Sequence, residues 1–449
     1  MDYDVIIIGA GPAGYTAALR AGQTGLRAAL VEKGRLGGMC LNWGCIPARS
    51  MMECARHFSR ARKAFRFGIT GIDPAAVGFD WKTALEWARR VTLRLAREIG
   101  SLLEKHGVDL FHGSARITGP GTVSLESRVI RAGHIIIATG SRPGKLDLPV
   151  SRGMIIEIPA LFAMDAIPPA LAVYGATPTA LETAQLLTLA GVETTLVVPG
   201  TNPLPGLDSA FVPFMREALE ETGVSLLLDG AITGEYEEGI LAGKRRIPCH
   251  GVINCTARTG VIPPSDVDLG ARDGFVPVNG FFQAASPGIY AVGDVNGIRM
   301  MANSASAQGM AAVNHILGVR ERLDFRLLPV NVYSHPEMAQ IGKTEEELKD
   351  EGADYRVTEI SLATNAKALI EEDTQGFVRI LSERNYGQVL GVQAGSFHAT
   401  DLISEAAAVM GMEGTIFDMT RILHSHPTVN EVFLEAGLRS VDSLTDEVG

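Results

Sequence analysis

Asp4-Val5-Ile6-Ile7-Ile8-Gly9-Ala10-Gly11-Pro12-Ala13-Gly14 opens the stretch that decides the fold, which continues through Tyr15–Thr24 to Ala28-Ala29-Leu30-Val31-Glu32. An apolar run, a glycine turn, a helical segment and a second apolar run within about thirty residues make one βαβ unit. Gly9 permits the tight turn, Gly11 lets a pyrophosphate approach the backbone, and Gly14 lets the helix pack closely on the strand. The pyrophosphate then lies over the N–H groups at the helix start. Glu32, at the end of the second strand, offers a carboxylate to ribose hydroxyls. Strand, helix and acid are all in place, so the loop reads as a dinucleotide site rather than a bare turn.

Working outward, the pattern restarts near Leu171. Leu171–Tyr174 reads as a strand, Thr179–Ala190 as a helix and Thr194–Val198 as a strand, an internal echo of the first unit. Between the two lie a helix over Trp81–His106 and short strands at Leu110–Phe111, Thr122–Leu125, Val129–Ile130 and His134–Ala138. Beyond the second unit, a strand at Ile289–Val292 meets Gly293-Asp294 and a helix over Ala305–Ile316. From about Leu328 strands and helices alternate as a separate α+β region, with helices near Asp401–Met410 and Glu431–Leu438.

The chain's 449 residues allow several domains with substantial cores. A formal charge of −11 presents no basic face to phosphate, so no nucleic-acid partner is expected. The basic stretch Arg56–Arg66 reads as a solvated helix face. The longest apolar runs have strand length, well short of the roughly 20 residues that span a bilayer, so no membrane insertion is expected. The first residues enter a strand directly with no signal-peptide pattern, which makes a cytoplasmic location the expectation. Five cysteines, unevenly spread, are not a secreted disulfide scaffold.

Two of them fall in Gly37-Gly38-Met39-Cys40-Leu41-Asn42-Trp43-Gly44-Cys45-Ile46-Pro47-Ala48-Arg49. At the start of a helix this spacing sets the thiols on adjacent turns, within disulfide reach. The positive end of the helix favours a thiolate there. A zinc site is the rival, but it needs more Cys or His ligands nearby, and no metal is expected.

These residues and the first glycine loop resemble the flavoprotein disulfide reductases, also called class I pyridine nucleotide-disulfide oxidoreductases. Three further stretches carry the resemblance: Ile137-Ala138-Thr139-Gly140-Ser141, Gly288-Ile289-Tyr290-Ala291-Val292-Gly293-Asp294-Val295 and His424-Ser425-His426-Pro427-Thr428-Val429-Asn430-Glu431. They cover essentially the whole chain in the family's order. Leu41-Asn42 between the cysteines and the His424…His426 pair resemble the dihydrolipoamide dehydrogenase branch most closely. No cysteine follows Cys255, unlike the mercuric reductase branch, which carries a C-terminal cysteine pair.

The resemblance implies an α/β fold class with two Rossmann-like dinucleotide-binding domains plus a C-terminal α+β dimerisation domain. The first FAD segment would cover residues 1–147, an NAD(P)-binding-like domain 148–268, the second FAD segment 269–327 and the dimerisation domain 328–449. It implies FAD held by Gly9, Gly11, Pro12, Ala13, Gly14, Glu32, Lys33, Arg49, Thr139, Gly140, Glu182, Gly293, Asp294, Met301 and Ala302. Cys40 would exchange with the substrate dithiol, Cys45 would face the flavin, and His426 would accept the proton with Glu431 orienting it. His424 and His335 keep structural roles. The family histidine comes from the other subunit, which implies a homodimer.

The second loop departs from that pattern. It reads Gly175-Ala176-Thr177-Pro178-Thr179-Ala180-Leu181-Glu182, with β-branched Thr177 where a glycine is wanted and Pro178 lacking an N–H. Val198-Pro199-Gly200 occupies the place of the ribose-binding acid, and Cys255-Thr256-Ala257-Arg258 lacks the family's glycine before the arginine. Glu182 remains, and Arg49 stands where a lysine is usual, so an Arg49–Glu182 pair is expected to replace the family's lysine–glutamate pair.

The expectation is therefore an FAD-dependent dithiol–disulfide oxidoreductase acting on a lipoyl-type dithiol, free or on a carrier protein, with an electron partner other than NAD(P). A conventional NAD-dependent dihydrolipoamide dehydrogenase and a non-catalytic flavoprotein scaffold are the alternatives. Preservation of Cys40, Cys45, His426 and Glu431 argues against the scaffold.

Overall fold

The computed structural model describes residues 1–126 and 128–448. Its contacts divide the chain into two compact units: Met1–Ala172 with Leu189–Val192 and Ile232–Leu323, and Val173–Thr188 with Glu193–Ala231 and Asp324–Gly449.

In the first unit, β1 (Tyr3–Ile8), α1 (Pro12–Gln23) and β2 (Ala28–Glu32) form the βαβ unit expected from the sequence. The helix starts earlier than Tyr15 because Pro12 lies at its first turn, where its missing N–H costs nothing. Two helices follow, α2 (Gly38–Asn42) and α3 (Cys45–Arg62), then α4 (Trp81–Lys105), capped by the Asp80 side chain accepting from the Thr83 N–H at 3.2 Å. The strands β3 (Asp109–His112), β4 (Arg116–Gly119), β5 (Thr122–Leu125) and β6 (Arg128–Ile137) complete a seven-stranded sheet. Its order is β3-β2-β1-β6-β5-β4, with the strand Ile289–Ala291 also paired to β6.

The sequence suggests two strands at Val129–Ile130 and His134–Ala138; the structure makes them one. The first half of β6 pairs antiparallel with β5, and its second half pairs parallel with β1. Arg131-Ala132-Gly133 reads as a break in sequence but stays extended, because it hands the strand from one neighbour to the other. Val5, Ile6, Ile7 and Ile8 are buried, each contributing about 1.5–3 kcal/mol when fully removed from water. Ile6 and Ile8 pack in one cluster with Ile135, Ile137, Ile289 and Ala291. The helix Ala302–Ile316 lies close against α1 at Gly309, where a Cβ would sit 2.4 Å from the Ala13 carbonyl oxygen.

In the second unit, the strand Glu193–Val197 pairs parallel with Ser225–Leu227. A five-stranded sheet follows in the order Val330–Val332, Glu337–Gly342, Val389–Ser396, Phe377–Glu383, Tyr355–Ser361, antiparallel throughout. Its apolar face meets the helix Ala399–Gly411 and the helix beginning at Glu431 through Ile341, Val392, Leu402, Ile403 and Phe433. Among the described residues no helix is long and apolar enough to cross a membrane.

Candidate redox site

The two cysteines do not lie on adjacent turns of one helix. Cys40 is on the five-residue α2, the chain breaks at Trp43 and Gly44, and Cys45 is the first residue of the eighteen-residue α3. Trp43 and Gly44 leave the helical region, with φ −158° and −122°. The side chains still meet, since the Cys40 thiol hydrogen-bonds Cys45. Only Cys45 therefore occupies the positive end of a long helix, which corrects the expectation that one helix start serves both.

The electrostatics separate the pair. The hydrogen bond to Cys45, then burial and the charge of Cys45, push the Cys40 thiol well above its ordinary pKa. The Arg49 charge pulls the other way, and Asp294 adds to the rise. Cys40 is therefore held in its protonated form by the bond to Cys45 and by burial. Tyr15 lies near enough that its phenol, raised first by burial, is raised further by both cysteines.

The first glycine loop is shaped by three different needs. A Cβ on Gly14 would fall 1.8 Å from the Gly9 carbonyl oxygen, and one on Gly9, at φ +103°, would fall 2.4 Å from the Ala138 oxygen. Those glycines serve the fold. Gly11 does not: its backbone is ordinary, at φ −72° and ψ −176°, and an added Cβ meets nothing nearer than the Gly38 Cα at 3.9 Å. Its cradle lies beside Pro12 and Ala13 at the start of α1 and fits a pyrophosphate. The Glu32 carboxylate is fixed by the Ala10 and Gly34 N–H groups, one to each oxygen, both at 2.7 Å. Each oxygen keeps a further lone pair for a ribose hydroxyl. Lys33 beside it is exposed.

The second flavin-type motif joins the same unit. Gly293, at φ +75°, donates its N–H to Gln308 Oε1 at 2.8 Å. Asp294 accepts from the Ser141 hydroxyl at 2.5 Å, and Arg258 Nε donates to the same hydroxyl oxygen at 2.8 Å. Burial raises the Asp294 carboxyl above its usual range, against the lowering by Ser141 and Arg258. The Arg258 guanidinium also lies 5.5 Å from the Trp43 ring centroid. Thr139 donates its hydroxyl to the Val261 carbonyl at 2.5 Å, while Gly140, at φ +72°, has open space around it. Met301 precedes the first turn of the helix that Ala302 begins.

Arg258 is thus tied to Ser141 and the Asp294 side. Ser141, Trp43 and Tyr15 were not singled out by the sequence. Their residue types are common, and only their neighbours in space give them a role.

The expected site residues of the second unit are Glu182, His426 and Glu431. Glu182 is buried and accepts the Tyr333 N–H at 2.8 Å. His426 Nδ1 lies 2.9 Å from Glu431 Oε1, and the other Glu431 oxygen accepts the Thr428 N–H at 2.9 Å. That backbone bond first, and the histidine second, hold the Glu431 carboxyl below its usual pKa, so it stays anionic. The His426 side chain is 74% exposed, free to meet a substrate or another protomer. His424, by contrast, is buried against Glu405, in keeping with a structural role.

The second glycine-type loop spends a side chain on capping its own helix. Thr177 precedes the helix Pro178–Leu189, and its hydroxyl accepts the Ala180 N–H at 3.2 Å. Pro178 has no N–H to give. Among the donors that a helix start would turn toward a phosphate, that of Ala180 is thus occupied and that of position 178 is missing. Val198 is buried, its N–H donating to the Leu227 carbonyl at 2.9 Å.

Residues 3–309 match the family model described as pyridine nucleotide-disulphide oxidoreductase, and residues 328–437 match the dimerisation domain of the same family. The dihydrolipoyl dehydrogenase of Bacillus subtilis is 31% identical over 97% of this chain and 98% of its own length. That of Rhizobium etli is 33% identical over 97% of each chain. A soybean (Glycine max) leghemoglobin reductase is 30% identical over 98% of this chain and 88% of its own. The fold is shared with LpdA of Mycobacterium tuberculosis, at a TM-score of 0.89 and 23% identity over 97% of this chain and 99% of that one.

Proposed function

The chain belongs to the pyridine nucleotide-disulphide oxidoreductase family, and from that premise we propose that it oxidises a dihydrolipoyl-type dithiol through a Cys40–Cys45 disulfide and passes the electrons to a partner other than NAD(P). It is an FAD-dependent disulfide oxidoreductase resembling dihydrolipoyl dehydrogenase, with the family's dimerisation domain. In the proposed homodimer, His426 serves the cysteine pair of the neighbouring protomer.

Gly11, Pro12, Ala13 and Glu32 would hold the adenosine diphosphate part of FAD, and Gly293 and Asp294 its ribityl side. When bound, FAD would accept two electrons from the reduced cysteine pair and pass them on. The remaining steps belong to the chain. His426 Nε2 takes a proton from one substrate thiol, with Glu431 fixing the proton on Nδ1. The resulting thiolate attacks Cys40 Sγ; a mixed disulfide forms, the Cys40–Cys45 bond breaks, and its electron pair leaves on Cys45 as thiolate. The second substrate thiol loses its proton and attacks the mixed disulfide, closing the substrate disulfide. Cys40 leaves and takes a proton from His426. Two electrons then rest on the pair, one proton on Cys40, and one proton has been released. The elevated Cys40 thiol and the helix-end position of Cys45 support this division.

The observation that carries the choice of electron partner is the Thr177 hydroxyl capping its own helix beside Pro178. Rapid mixing of the oxidised holoprotein with NADH tests it. Flavin absorbance is expected to stay oxidised at micromolar NADH while a dithiol bleaches it. Saturable bleaching by micromolar NADH would establish the second reading, a conventional NAD-dependent enzyme, which the dihydrolipoyl dehydrogenase relatives favour.

The Gly11 cradle gives a separate expected result. Gly11→Ala should leave the apoprotein's melting temperature unchanged or slightly higher, since alanine accepts this backbone and restricts the unfolded chain by about 0.4–1 kcal/mol. Its FAD affinity should fall by about tenfold or more, ~1.4 kcal/mol. Gly14→Ala should instead fail to fold. Flavin absorbance per chain and thermal melts of apoprotein distinguish these outcomes.

A further inference from the structure

The segment that carries His426 contains neither helix nor strand from Ile422 to Asn430, so side chains must fix it. One carboxylate does this at both ends. Glu405, on the helix Ala399–Gly411, accepts from His424 Nε2 on Oε1 at 2.7 Å and from Asn430 Nδ2 on Oε2 at 2.8 Å. His424 lies two residues before His426, and Asn430 immediately precedes Glu431. The His424 side chain is only 6% exposed and Glu405 only 17%, so the bond between them lies largely out of bulk water. His424 Nδ1 is buried without a hydrogen-bond partner, which leaves Glu405 as the ring's polar anchor.

We propose that Glu405 is a positioning residue for dithiol oxidation, holding His424 and Asn430 so that the intervening loop presents His426 and Glu431 in one geometry. The proposal rests on His426 being the base. A mobile loop would leave the His426–Glu431 bond intact in some conformers yet misplace the imidazole relative to the reacting sulfur. Misplacement of about 1 Å costs up to about 10²-fold in rate. Asn365, whose side-chain amide donates to the Thr428 carbonyl at 3.2 Å, holds the middle of the loop more weakly.

Glutamine is the informative substitution at 405. Its size is nearly that of glutamate, but its amide accepts with one oxygen and confronts the second donor with an N–H. In the full-length holoprotein, Glu405→Gln is expected to lower kcat for dihydrolipoamide-driven flavin reduction about ten- to a hundredfold. FAD content, and KM within about twofold, should hold, as effects on a transition-state geometry leave ground-state binding alone. His424→Gln keeps an amide N–H where Nε2 was and should retain most activity, whereas His424→Leu should lose as much as Glu405→Gln. In a His426→Gln background, Glu405→Gln should cost less than about twofold further, because the residue it positions is gone. Wild-type rates in both Glu405→Gln and His424→Leu would overturn the proposal, as would an undiminished loss in the His426→Gln background. An active His426→Gln variant would instead overturn the base assignment, and the positioning role with it.

Discussion

Cys45→Ser is expected to abolish dithiol-driven reduction while leaving the protein folded and yellow. The serine hydroxyl fills the first position of α3 without strain, so neither the helix nor the glycine loop is disturbed. It forms no disulfide, so a substrate thiolate has no S–S bond to attack and no leaving sulfur to receive the electron pair. The rate of flavin bleaching by dihydrolipoamide should fall by about four orders of magnitude or more, as for removal of a covalent nucleophile. Cys40→Ser should be equally inactive, since either sulfur is needed for the bond. Serine at Cys54 or at the buried Cys249 should change the rate little, because neither forms part of the pair. Stopped-flow absorbance after mixing with dithiol measures all of these. Unchanged bleaching in Cys45→Ser would return the chain to the scaffold reading.

The parts of this machine differ in how plainly the sequence declares them. The βαβ unit was legible because its glycines answer a backbone demand: nothing but glycine lies 1.8 Å from the Gly9 oxygen, as a Cβ on Gly14 would. The cysteine pair was legible as a pair, but not its placement on two helices. That depends on Trp43 and Gly44 leaving the helical region, and tryptophan carries no such signal. The second loop showed its losses in sequence, yet the sequence suggested only a steric obstacle at Thr177. The added finding is that threonine, next to a proline at a helix start, caps the helix itself. The Ser141–Asp294–Arg258 cluster joins residues more than a hundred positions apart, and no local pattern announces such a contact. Glu405 did leave a trace: it is a lone carboxylate among Leu402, Ile403, Ala406, Ala407, Ala408 and Val409, and a charge in so apolar a run needs a partner. Which partner it takes is decided by the loop after Ile422, whose course periodicity does not give.

His426→Gln should slow the same half-reaction by about 10²- to 10⁴-fold near neutral pH, the range for removal of a general base. Glutamine retains a hydrogen-bonding side chain of similar reach but takes no proton at this pH. The sign of the pH dependence follows from the substrate. A free thiol titrates near pKa ~8.5, so above that pH it supplies its own thiolate. The deficit of His426→Gln against wild type should therefore shrink as pH rises through about 8 to 10 and be greatest below it. Glu431 should add no inflection of its own in the neutral range. The Thr428 N–H and His426 both lower its pKa, so it is anionic wherever the enzyme works. Its role is to fix the imidazole tautomer, and Glu431→Gln tests that separately. The amide places an N–H against either His426 Nδ1 or the Thr428 N–H, so one of two bonds is lost. A loss of about 10²-fold near neutral pH is expected, no larger than that of His426→Gln and shrinking with it as pH rises through about 8 to 10. Full activity of His426→Gln at pH 7, or a deficit that grows with pH, would show that the substrate thiol is ionised by some other group.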